Sequence, residues 1–259
     1  VAYIEFLRIR KSLMWHIGIL ALVAIGIMLL GAGHADTEVI VNGSSRSASQ
    51  MVAGMTVPLS AAAGIAAFFG AIFASTCGTS FNRESMTRDI SWTKPISRMM
   101  LALQFAIVDI AGVIVAYFAA FAVIVIVLLR YHVAPFFDDA FAVELALGIG
   151  IGTMWYGLLQ LITCMLGSGA RAMAGILWPI AFVLIPLKQL DNGVGVLARI
   201  LDVINPLAYM SSTQSGSGRG IHVVASGSGL PSNEKLQLVW LFTVVFTGIA
   251  IAIWPKKEA

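Results

Sequence analysis

The chain has 259 residues, of which 59% are hydrophobic and only 11% charged, whereas a soluble globular domain carries about 45–50% apolar and about 25% charged residues. Sixteen basic and 13 acidic side chains are too few to clothe a water-facing surface, so the excess apolar residues are expected to face lipid and a soluble enzyme is excluded. The mean hydropathy of +0.90 agrees, and a net charge of +3 matters less for its size than for where its basic residues sit.

In chain order the apolar windows are Met14–Ala32, Thr56–Thr76, Leu101–Leu129, Leu145–Leu166, Ala172–Leu187 and Leu236–Trp254. A span takes about 20 residues, so six spans leave only short loops and no large extramembrane domain. The first window has too long an apolar core for a cleaved signal, and Arg8, Arg10 and Lys11 before it read as a cytoplasmic flank. With that end inside, segments 1–13, 77–99, 167–171 and 255–259 are cytoplasmic and hold ten of the 16 Lys and Arg, although the outside segments are nearly twice as long. The expected fold class is an all-α integral membrane protein: one transmembrane domain over 1–259, six transmembrane helices, both termini cytoplasmic.

The fifth window is short and carries Pro179 and Pro186, so a re-entrant or interfacial structure is expected after it. Leu197, Ile200, Leu201 and Ile204 recur at helical spacing, with Arg199 and Asp202 off that stripe and Asn205-Pro206 at its end, which predicts a short outside amphipathic helix. Its role is either packing on the span ends or an outer gate formed by Leu197, Leu201, Asn205 and Pro206. Ser211–Gly229 reads as a Ser/Gly-rich loop.

Neither a GxxxxGK[ST] nor an HExxH motif occurs, and His16, His34, His132 and His222 are scattered. Cys77 and Cys164 have no CxxC or His-rich neighbour, so no metal site or disulfide framework is expected. The spans hold one carboxylate, Asp109. It is either a pathway-lining or coupling group facing the bundle, or it sits near the interface or paired with a polar neighbour because the long third helix begins before the bilayer. In the fourth window Gly150, Gly152, Trp155 and Tyr156 are candidates for an amphipathic path or for helix packing.

The most charged stretch lies between the second and third windows, from Asn82 to Arg98. Asn82 is a candidate N-cap, with Glu84 in the first turn. Glu84 and Arg88 form a favourable i, i+4 pair, Met86 and Ile90 an apolar pair on another face, and Pro95 stops the helix. Composition alone leaves two readings, a short amphipathic cytoplasmic helix that transmits force or a solvated positive-inside connector.

The run Arg83-Glu84, then Thr87, then Lys94-Pro95-Ile96-Ser97-Arg98 resembles the membrane subunit of type-2 ATP-binding-cassette exporters. That family has an Arg-Glu, a Thr three residues after the Glu, and a Pro-Ile/Val-Ser-Arg before the third span. The chain departs from it at Met86, where a Gly is common, and at Ile90-Ser91-Trp92, where a Leu-Leu pair is common. The resemblance implies an N-terminal amphipathic elbow over 1–13, with Glu5, Arg8 and Ser12 on one face, and short outside helices between spans five and six. It also implies a permease without its own nucleotide site, pairing with a second permease copy to form the substrate pathway. A separate ATPase subunit, holding ATP and Mg, would drive it from a bacterial cytoplasmic (inner) membrane. Arg83, Glu84, Thr87, Arg88, Asp89 and Trp92 then form an ATPase-coupling helix, with Pro95 and Arg98 fixing the start of the third span; Trp92 is a lipid-interface anchor or a knob into the ATPase. The alternatives are an ion-gradient-driven secondary transporter and a non-transporting membrane scaffold or immunity protein.

Overall fold

The computed structural model describes residues 2–33, 38–41, 44–47, 56–81, 97–166, 169–190, 193–210 and 231–254. Its elements are α1 (Ala2–Gly33), a hairpin of β1 (Glu38–Val41) and β2 (Ser44–Ser47), β3 (Thr56–Pro58), α2 (Leu59–Cys77), α3 (Arg98–Arg130), β4 (Ala134–Phe136), α4 (Phe141–Met165), α5 (Ala170–Leu187), α6 (Gly193–Asp202), a 3-10 turn at Pro206–Tyr209, and α7 (Ser232–Ile253). The protein is a mainly helical membrane protein. Five of its described helices, α1 to α4 and α7, are long and apolar enough to cross a bilayer, while the apolar part of α5, Arg171–Leu187, is shorter.

Two expectations are corrected. α1 runs unbroken from Ala2 to Gly33, so residues 2–13 of the expected 1–13 elbow do not form a separate helix; no Gly or Pro interrupts Ala2–Ile17, and nothing in the sequence breaks the helix there. The second helix begins at Leu59 rather than Thr56, since Thr56–Pro58 instead pairs in parallel with Ala134–Phe136. Pro58 takes the N-cap position without a capping side chain. The Asp138 carboxylate supplies the missing acceptor, receiving the Ser60 N–H at 3.2 Å. The strand pairs are short, and the fold as a whole is helical, as expected of an all-α membrane protein.

Side-chain contacts fix the helix directions. Arg8 meets Asp109 while the Tyr131 hydroxyl donates to the Ile27 carbonyl, so α1 runs parallel to α3. Gly70 faces Tyr117 and Ser80 bonds Asp109, which sets α2 antiparallel to α3. Gly152 faces Val113 and Tyr156 bonds Asp109, so α4 is antiparallel to α3 as well. Gly150 against Val239 and Gly157 against Phe246 make α7 parallel to α4. Phe182 packs on Phe68 and Trp178 reaches Ser75, turning α5 against α2. Thus α1, α3 and α5 run one way and α2, α4 and α7 the other.

The centre of the bundle is α4, whose Ile151, Met154, Trp155, Tyr156 and Leu159 are buried. Helices facing lipid gain little from hiding apolar surface, so close van der Waals fit and internal hydrogen bonds carry the association. Large apolar side chains of α1, α3, α5 and α7 are exposed around this core, among them Leu22, Ile107, Ile176 and Val244.

Candidate functional site

Asp109 sits three helical turns into α3 and is fully buried. The Arg8 guanidinium donates to Oδ1 at 2.8 Å, and Oδ2 accepts from Ser80 Oγ at 2.7 Å and Tyr156 Oη at 3.1 Å. One carboxylate therefore ties α1, α3, α4 and the residues following α2. Such a buried charge is tolerable only when its oxygens are paired in this way. The approach of α1 depends on Gly112, where a Cβ would come within 2.7 Å of Ile9 Cγ2; the missing side chain lets α1 close on α3 beside the ion pair.

Asp109 has features of both readings: it faces the bundle, and it is paired with polar neighbours level with Ser80, beyond the end of α2. The helix starts at Arg98, about 16 Å below Asp109 along the axis. Sequence reasoning places Arg8 on the polar face of the N-terminal segment without finding its partner. It misses Ser80 and Gln160 altogether, and Tyr156 enters only as a packing or path residue. The usable signal is the Tyr156/Gln160 pair, two polar groups one turn apart on one face of an apolar helix.

A second layer fixes the end of α2. Gln160 Nε2 donates to Ser80 Oγ and to the Cys77 carbonyl at 3.2 Å, while its Oε1 accepts the Phe81 N–H at 3.2 Å. Thr163 donates to the Gly78 carbonyl at 3.0 Å. Carbonyls left open at the end of α2 are thus closed by α4 side chains. Phe81 then stacks on Trp254, their ring centroids 5.6 Å apart, which brings the end of α7 to the same end of the bundle.

This clamp ends at Phe81, immediately before the charged connection. The proposed coupling residues Arg83, Glu84, Thr87, Arg88, Asp89 and Trp92, together with Pro95, lie outside the described residues. Arg98 is the first residue of α3, and the preceding Ser97 caps it by accepting the Met100 N–H at 3.2 Å. Ser97, absent from the predicted site, therefore starts the helix. The connection leaves from a clamped end and returns into a capped one.

At the far half of the bundle, the four outer-gate candidates do not converge. Asn205 and Pro206 are buried, whereas Leu197 and Leu201 are 57% and 39% exposed. The inward side of α6 is Gly195, Ala198 and Asp202: Asp202 pairs with Lys188 at 2.6 Å, and Asn205 Nδ2 donates to Asp202 Oδ1 and to the Ala181 carbonyl, both at 3.0 Å. Tyr209 donates to the Val203 carbonyl at 2.6 Å, and burial beside Asp202 pushes its phenol above the usual range. In a soluble protein the stripe Leu197, Ile200, Leu201 would face the core; here Asp202 does. Sequence periodicity finds the helix, and the structure adds that Gly195, Ala198 and Asp202 form its buried side.

Trp155 and Tyr156 of α4 are buried in packing contacts. Trp155 and Trp178 both donate their indole N–H to Ser75 Oγ at 2.8 Å, with ring centroids 4.7 Å apart. Gly150 and Gly152 are buried against α7 and against α2 and α3. No family model, curated protein or solved structure matches the chain.

Proposed function

We propose that the chain is the membrane-spanning permease subunit of a type-2 ATP-binding-cassette exporter, working as a dimer with a separate ATPase that binds ATP and Mg, in a bacterial cytoplasmic membrane. The supporting motif is Arg83-Glu84, Thr87 and Lys94–Arg98. The geometric observation that carries the reading is the clamp: the connection holding that motif is bracketed by Phe81, fixed to α4 and α7, and by Ser97, which caps α3. A displacement of the connection reaches four helices through Ser80, Asp109 and Arg8. Six spans with cytoplasmic termini are part of the proposal, supported by the alternating helix directions.

The test uses the permease co-reconstituted with its ATPase. Glu84→Ala together with Arg88→Ala is expected to abolish stimulation of ATP hydrolysis by the permease while leaving assembly of the bundle intact; unchanged stimulation rejects the coupling assignment. Gradient-driven transport has one observation in its favour, the buried ionisable Asp109. It requires transport without any ATPase and its loss in Asp109→Asn. A scaffold or immunity protein shows neither ATP dependence nor transport.

A further inference from the structure

Leu7, Arg10, Lys11, Met14, Trp15 and Gly18 share one face of α1, and among the described residues they alone line a hollow of about 610 Å³. The face is chemically divided. Arg10 and Lys11 lie at one end, exposed and, among the described residues, without a carboxylate partner. Met14 and Trp15 follow at 63% and 68% exposure, and Gly18 leaves open space beside the helix. Arg8, by contrast, is committed to Asp109.

Water suits the cations but not Met14 and Trp15, and hydrocarbon suits the reverse. The boundary between phospholipid headgroups and acyl chains satisfies both, because basic side chains extend to phosphates while aromatic rings rest at the interface. Charge argues against a second copy of the chain on this face, since a two-fold contact would set Arg10 and Lys11 against their own equivalents. A soluble partner is disfavoured because Trp15 and Gly18 lie inside the apolar run of α1.

We propose that this face of α1 binds an anionic phospholipid, with the phosphate between Arg10 and Lys11 and an acyl chain along Met14, Trp15 and Gly18. The site does not depend on the exporter reading, and its test needs no ATPase. The purified full chain in mild detergent is titrated with phosphatidylglycerol and, separately, phosphatidylcholine, and bound lipid is counted by native mass spectrometry. Phosphatidylglycerol is expected to bind in preference. Arg10→Gln with Lys11→Gln should weaken it about tenfold or more, since each basic residue at an anionic surface strengthens binding about fivefold, with phosphatidylcholine unaffected. The exchange Arg10→Lys with Lys11→Arg keeps the charge and should keep the preference. Equal binding of the two lipids, survival of the preference in the Gln pair, or an equal loss in a control pair, Lys256→Gln with Lys257→Gln, overturns the proposal.

Discussion

Removing the Asp109 carboxylate takes from the Arg8 guanidinium, 30% exposed, its partner at 2.8 Å and leaves the Ser80 and Tyr156 hydroxyls without their shared acceptor. Breaking a buried ion pair from one side costs about 3–5 kcal/mol, and the partial exposure of Arg8 puts Asp109→Ala near about 3 kcal/mol. Tyr156→Phe removes a single hydrogen bond to a charged acceptor and should cost about 1.5–2 kcal/mol. Thermal unfolding of the detergent-purified protein should rank the two in that order. Replacing both charges, Arg8→Met with Asp109→Leu, should recover much of the loss, because neither variant side chain then needs a partner. If Tyr156→Phe cost as much as Asp109→Ala, the carboxylate would not be the hub. At this scale the sequence is half legible: a lone carboxylate in an apolar span must find partners, which singles out Asp109. Its partners come from positions 8, 80 and 156, and no local spacing connects those.

Helices that face both lipid and one another have apolar residues on every side, so their inner face is hidden from hydropathy patterns. The apolar windows therefore locate the helices to within a few residues, except that α1 begins twelve residues before its window, but not which face turns inward. Glycine marks that face in α4. A Cβ at Gly150 would meet Val239 Cγ1 at 2.7 Å, and one at Gly157 would meet Thr247 Oγ1 at 2.8 Å and Phe246 Cβ at 3.2 Å. Gly150→Ala presses on the movable tip of Val239 and should cost about 1 kcal/mol. Gly157→Ala also presses on a Cβ that cannot rotate away, and should cost more, about 2–3 kcal/mol. Gly64 of α2 has nothing within 4 Å, so Gly64→Ala should be neutral or stabilising by up to about 1 kcal/mol from helix propensity alone. Unfolding midpoints of the three variants check this order. Val239→Ala should relieve Gly150→Ala but not Gly157→Ala; relief of both would mean that α4 and α7 separate as rigid rods rather than through local contacts.

For the whole molecule, the direction of α7 constrains how often the chain crosses. α4 and α7 run side by side and parallel, so between Met165 and Ser232 the chain must return along the length of the bundle. Among the described residues α5 is the element that travels that way, antiparallel to α2. At 18 residues it rises about 27 Å, slightly under the hydrocarbon thickness, and Pro179 and Pro186 lie within it. Local thinning or flanking side chains that reach the headgroups accommodate such a shortfall at small cost. The Lys188–Asp202 pair and the Asn205 bonds fold α6 back against α5. Single cysteines for labelling belong at Asp139, Ser217, Thr87 and Lys257, because the native Cys77 and Cys164 are buried and give little background. In intact cells a membrane-impermeant maleimide should modify Asp139→Cys and Ser217→Cys directly, and Thr87→Cys and Lys257→Cys only after permeabilisation. Five crossings, with α5 returning to its own side, predict labelling of Lys257→Cys from outside, a result that would overturn the proposed six-span topology.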